Sequence, residues 1–144
     1  MTLYELITKI KEIALSLPNV QEFNEGDFYV LNQSPSRKYK SVVLTQQTHS
    51  ENLEDNTITY RFNIFEVDRL EVKVGAQNKL QIQSTVLNDL HTLFKKLSDE
   101  DVLAINQIQY FTFEHRFNDL LSGAYASLEI TTNIKDCENY EENM

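Results

Sequence analysis

Hydrophobic patterning is clearest in residues 57–67, where Ile58, Tyr60, Phe62 and Ile64 alternate with Thr57, Thr59, Arg61 and Asn63. A period of two is that of a strand with one buried and one solvated face. Residues 39–47 form a second extended run, and the stretch between them, 48–56, contains a single apolar side chain, Leu53. Together the runs predict a long projecting hairpin. Its insert is too polar to bury itself, so the tip is expected to be mobile or ordered by a partner. Beyond Ile64 the phase changes, because Phe65 and Val67 are apolar on the formerly polar side. That change predicts a bulge, a strong twist, or a strand end covered on its other side.

Two helices frame the extended runs. Thr2-Leu-Tyr-Glu5 has the capping-box spacing, in which the Thr hydroxyl and Glu carboxylate satisfy free N–H groups at a helix start. Leu3, Leu6, Ile7, Ile10, Ile13, Ala14 and Leu17 then recur every three or four residues, and Pro18 ends the pattern. A second helix is predicted over 80–97, with Val86, Leu87, Leu90, Leu93, Phe94 and Leu97 on one stripe and Lys95 and Lys96 in the last turn, where cations complement the carbonyl end. Between the first helix and the hairpin, residues 28–31 read as a short strand after the Gly26-Asp27 turn signal, and 32–38 as a polar loop. Residues 69–79 read as a further loop. After the second helix, 107–113 and 124–132 read as strands, with 102–105 open to either a short helix or a strand and 114–123 as a connection.

The order helix, strands, helix, strands predicts an α+β domain spanning 1–132: a mainly antiparallel sheet of four to five strands with both helices on one face. Residues 133–144 are expected to be an acidic, flexible C-terminal tail. A chain of 144 residues can bury an ordinary core without metal or disulfide staples.

Charge narrows the function. The formal net charge is −9, which disfavours gripping nucleic acid, since that affinity comes mainly from Lys and Arg displacing counterions. The same electrostatics let an acidic channel pass DNA without holding it. Cys137 is the sole cysteine, so no intrachain disulfide or cysteine-rich metal site can form. The start, Met-Thr-Leu-Tyr-Glu, lacks the basic and apolar regions of a signal peptide, and no apolar run is long enough to span a bilayer, so no membrane association is expected.

Catalytic chemistry finds little to stand on. His49, Glu51, Glu54 and Asp55 cluster in the hairpin insert, but an exposed tip holds ligands poorly and reads as solvated. Glu114-His-Arg116 is the most suggestive local cluster, yet successive side chains of a strand point to opposite faces. His91 falls off the apolar stripe of its helix, and Cys137 lies among carboxylates that oppose thiolate formation. Three scattered glycines build no phosphate loop. No enzyme activity, metal or cofactor is expected.

The runs Leu44-Thr-Gln-Gln-Thr-His-Ser50, Tyr60-Arg-Phe-Asn-Ile-Phe-Glu-Val-Asp-Arg-Leu70 and Leu80-Gln-Ile-Gln-Ser-Thr85 resemble small structural proteins of tailed phages and prophages of Bacteroides-type bacteria, including crAss-like phages. The element order is similar to that of tail-terminator, tail-completion and neck proteins. The resemblance implies a virion protein, made in the host bacterial cytoplasm, that forms a homo-oligomeric ring of six or twelve subunits at the head–tail junction or tail end. It implies adjacent neck or tail-tube proteins as partners, with DNA passing through and no sequence-specific binding, and acidic residues tending to face the lumen. On that reading the subunit contacts are expected at the tip, through His49, Glu51, Leu53, Glu54 and Asp55, and along the outer strand face, through Arg61, Asn63, Phe65 and Val67. The competing expectation is a dimeric α+β domain that binds a ligand or a protein without catalysis.

Overall fold

The first helix starts where its cap dictates. In a computed structural model of the chain, which describes residues 1–28, 38–70, 75–116 and 120–134, helix α1 (Leu3–Ser16) opens on Thr2. The Thr2 hydroxyl accepts the Glu5 backbone N–H at 3.2 Å, and Thr2 Oγ1 also contacts Glu5 Oε1 at 3.2 Å. Leu6, Ile10, Ile13 and Ala14 are its buried residues, one face of the 3.6-residue period.

Strands β1 (Glu22–Glu25), β2 (Ser41–Gln46), β3 (Ser50–Asn52) and β4 (Thr57–Arg69) follow, then helix α2 (Gly75–Ser98) and strands β5 (Leu103–Arg116) and β6 (Leu120–Asn133). The strands form one mixed sheet in the order β1-β2-β4-β6-β5, with β3 pairing β4 beyond the end of β2. Only the β1–β2 contact is parallel; the others are antiparallel. The fold is therefore α+β with two helices and six strands, against an expectation of four to five.

The extra strands come from short polar segments. β1, with Phe23 as its one apolar residue, precedes the strand expected at 28–31, which lies outside the described residues except for Phe28. β3 is fully exposed, and its structure comes from register: Ser50, Glu51 and Asn52 sit opposite Thr59, Ile58 and Thr57. α2 begins several residues before the expected start. β5 and β6 each run 14 residues, so much of the expected connection at 114–123 is strand. The expected tail lies outside the described residues beyond 134.

Both helices cover the same sheet face. Leu6, Ile10, Ile13 and Ala14 of α1 and Val86, Leu90, Leu93 and Leu97 of α2 pack into one cluster with the inward residues of β2, β4 and β6, among them Val42, Phe62, Ile64 and Leu128. On the opposite face a smaller cluster forms around Val43, Val67 and Leu121, with Phe28, Phe65 and Phe113 packed on it. Phe28 stacks on Phe65 at 4.5 Å, and Tyr125 lies 4.8 Å from Phe65. This second cluster explains the change of phase after Ile64: the end of β4 is covered on both faces.

Gly123 fixes how closely the central strands approach. It lies opposite Val67 on β4, and a Cβ at this position would overlap the Glu66 carbonyl oxygen. Only a residue without a side chain lets β6 sit where it does.

Candidate functional site

The hairpin tip is built by side-chain hydrogen bonds on a paired base. Gln47 donates its backbone N–H to the Arg61 carbonyl at 2.8 Å, so the strand connection stays attached between β2 and β3. His49 fills the next place in the ladder: its Nδ1 accepts the Arg61 backbone N–H at 3.3 Å, and its Nε2 lies 3.1 Å from Gln46 Oε1. An imidazole that accepts at Nδ1 and faces an amide oxygen at Nε2 is neutral, with its proton on Nε2. Burial pushes the His49 pKa below its ordinary value, and the nearby Arg61 guanidinium adds to that. The ring also lies edge-on to Tyr60 at 5.2 Å.

At the turn, Asn52 Oδ1 accepts the backbone N–H groups of Glu54 at 3.1 Å and Asp55 at 3.2 Å, while its Nδ2 donates to Asp55 Oδ2 at 3.1 Å. Asn56 takes the positive φ of 54° that the turn requires, a conformation Asn tolerates better than most residues. The nine-residue polar insert therefore reduces to a four-residue turn, 53–56, on strand pairing. Replacing Asn52 by Ala is expected to cost about 1 kcal/mol locally, since two backbone donors lose their side-chain acceptor. Faster hydrogen exchange at the Glu54 and Asp55 amides, with the β2–β4 amides unchanged, is the expected signature.

The residues singled out from sequence fall into three places. Glu51, Leu53, Glu54 and Asp55 are exposed at the tip, Leu53 by 80%. Arg61 and Asn63 lie on the outer face of β4. Arg61 Nε donates to Glu129 Oε1 at 3.0 Å and its Nη1 to Ser50 Oγ at 3.1 Å and the Thr48 carbonyl at 3.4 Å, which ties the tip's base to β6. Phe65 and Val67 are at the far end of the strand. Phe65 is half-buried in the aromatic cluster, and Val67 is wholly buried there, so its side chain is spent on packing within the subunit. The tip and the apolar end are thus separate surfaces.

Beside Arg61 a depression of about 290 Å³ is lined by Gln47, Thr48, Gln107, Gln109, Ser127 and Glu129. Its amides and hydroxyls can exchange hydrogen bonds with a polar partner. Among the described residues no group of three or more His, Cys, Asp or Glu could hold a metal ion, and no helix is long and apolar enough to cross a membrane. The side chains of His115 and Arg116 lie outside the described residues, as does Cys137.

No protein-family model matches the chain, and no curated protein does either.

One charged group was missed by sequence reasoning. Glu66 of β4 is fully buried on the helix side, opposite Val42 and Ala124, with its carboxyl against that of Asp89 on α2. Beside it Lys40 Nζ and Asp89 Oδ2 form an ion pair at 3.0 Å that is itself mostly buried. Burial pushes the Glu66 pKa up to about 10; the adjacent Asp89 carboxyl and, further off, Asp68 push the same way, and Lys40 opposes them. Glu66 is a neutral acid in the folded chain at pH 7. The signal was present in the sequence, because position 66 continues the inward series 58, 60, 62, 64. A neutral acid held in the core in this way is a cost to stability.

Proposed function

We propose that the chain is a structural virion protein of a tailed bacteriophage, a tail-terminator or neck protein that forms a ring of six or twelve copies around the DNA channel. The observation that carries this reading is strand β5. It is a 14-residue strand at the end of the sheet order, with no partner on its outer side among the described residues. Residues 103–113 carry no charged side chain and no proline, two of the devices that protect a sheet edge from pairing; a register shift between Ile105 and Gln107 interrupts the strand near its start and leaves Gln107–Phe113 as the regular edge. Tyr110 and Phe111 are exposed on it by 38% and 43%. Such an edge suits a protein whose work is assembly.

Two further features support the reading. Both helices lie on one face of the sheet, so subunits joined at their edges would keep a helix layer on one side of a ring wall. The net charge of −9 suits a wall that passes DNA and does not bind it. A two-fold dimer, with β5 paired to its own copy, competes because the same bare edge permits it.

The tip is assigned the contact with a neighbouring subunit or the next ring. Removing residues 51–55, which are exposed but include two residues of β3 and the Asn52 turn bonds, is expected to lower Tm only modestly and to weaken assembly in light-scattering mass measurements. Normal assembly by this variant would move the contact away from the tip.

A further inference from the structure

The two ends of the sheet differ in shape and charge, and they fit each other. At the β5 end, α2 and the strand enclose a groove of about 540 Å³ with Phe94, Ile105, Ile108 and Tyr110 along it and His91 and Lys95 on its rim. No carboxylate lines this groove, and neither His91 nor Lys95 forms an ion pair among the described residues. At the β1 end, α1 and the strand enclose a groove of about 600 Å³, lined by Leu3, Tyr4, Ile7 and Phe23 with Glu25 and Lys11. Glu25 is the carboxylate that lines this groove, while Glu22, on the other face of β1, accepts the Lys38 backbone N–H at 3.1 Å. Tyr4 stands out from it, exposed by 79%.

We infer that the occupant of the β5–α2 groove is the β1–α1 edge of a second copy of this chain, joined head to tail, with Tyr4 seated beside Tyr110 and the Glu25 carboxylate facing His91 and Lys95. The inference rests on the assembling role proposed above and names its interface. Strand direction agrees with it. β1 runs parallel to β2, and three antiparallel steps through β4 and β6 leave β5 opposed to β1. A copy added at the β5 edge with its strands in the same sense therefore meets it in antiparallel pairing, the geometry that needs no change in either subunit. Both helices share one face, so the addition sets α1 of one copy beside α2 of the other. Contacts between unlike surfaces repeat indefinitely, closing into a ring where the rotation per subunit allows it and otherwise growing as a filament.

Two exposed substitutions separate this interface from the alternatives. Tyr110→Lys places a cation in the groove at the edge strand, and Tyr4→Lys places one on the opposite edge, where it would face Lys95. Each variant alone is expected to associate about tenfold more weakly than the native chain or worse, the size usual for a central aromatic anchor, with its circular dichroism unchanged. Mixed in equal amounts, the two are expected to form a capped one-to-one pair by native mass spectrometry, because each retains the edge the other has lost. Failure of the mixture to pair, or native association that survives both substitutions, overturns the head-to-tail interface. A native ring unaffected by either change would refute this interface and leave the ring reading standing; pairing of the mixture with only open filaments from the native chain would do the reverse.

Discussion

Replacing Glu66 by Gln is expected to stabilise the chain by roughly 3 kcal/mol at pH 7. The sign follows from the proton count. In the unfolded chain Glu66 titrates near its ordinary 4.5, while in the folded chain its pKa is pushed to about 10. Below the lower value both states hold the proton and full stability is present. Between the two values the folded chain keeps a proton that the unfolded chain releases, so stability falls as pH rises and the loss is complete only above the folded pKa. Glutamine keeps the shape without a titrating group, and its amide N–H can donate to the Asp89 carboxylate. Urea unfolding at several pH values from about 5 to about 9 should show native stability falling by about 1.4 kcal/mol per unit from this group, a slope that Glu66→Gln removes. A native chain whose stability does not fall over that range would contradict a neutral Glu66.

The second large effect is at Gly123. Substitution by Ala is expected to cost about 3 kcal/mol, at the upper end for overpacking, because the methyl meets the Glu66 carbonyl on β4 and backbone cannot turn aside as a side chain can. For a chain of this length that is a fall of about 10 °C in Tm. The strain is confined to the centre of the sheet, so the Tyr4 and Tyr110 edges should be unaffected in whatever fraction remains folded. A calorimetric Tm within a degree or two of the native value would mean that the β4–β6 approach is looser than described.

The two buried defects are neighbours. Glu66 contributes the carbonyl that excludes a side chain at 123 and the buried carboxyl that meets Asp89 on the helix side. Lys40 and Asp89 bracket it from the segment before β2 and from α2. A buried pair of this kind adds little net stability, since desolvation offsets its attraction, but removing one member leaves an uncompensated charge.

Long periodic segments were legible in the sequence, and elements that depend on a partner strand were not. Helix α1 could be read residue by residue, because its cap and stripe are local: Thr2 and Glu5 make the expected hydrogen bond, and Leu6, Ile10, Ile13 and Ala14 are buried. The alternation in β4 was equally plain. β3 was invisible, because Ser50-Glu-Asn52 has no pattern of its own and becomes a strand only against Thr57–Thr59 of β4. β1 was hidden by its charge. In β5 the cause is a shift of register between Ile105 and Gln107, which breaks the alternation of Leu103 and Ile105 from that of Ile108 and Tyr110. Each half looked too short to be the whole strand.

For the candidate site, the tip and the outer face of β4 were both picked out, with Arg61, Asn63, Phe65 and Val67 grouped together on that face. Arg61 does join the tip's base through Ser50 and Thr48. Phe65 and Val67 do not, because an aromatic cluster with Phe28 and Phe113 claims them, and the distant segments that supply it cannot be inferred from strand alternation. The two sheet edges escaped notice for the same reason: which strands end up outermost is a property of topology and not of local pattern.

The central claim is that this chain assembles by its sheet edges into a ring. Light scattering on the native chain at its highest soluble concentration, with the same sample imaged in negative stain, tests it most directly. The account predicts a mass of six or twelve subunits and closed annular particles; a mass that stops at two subunits, or a monomer with no rings, would contradict it.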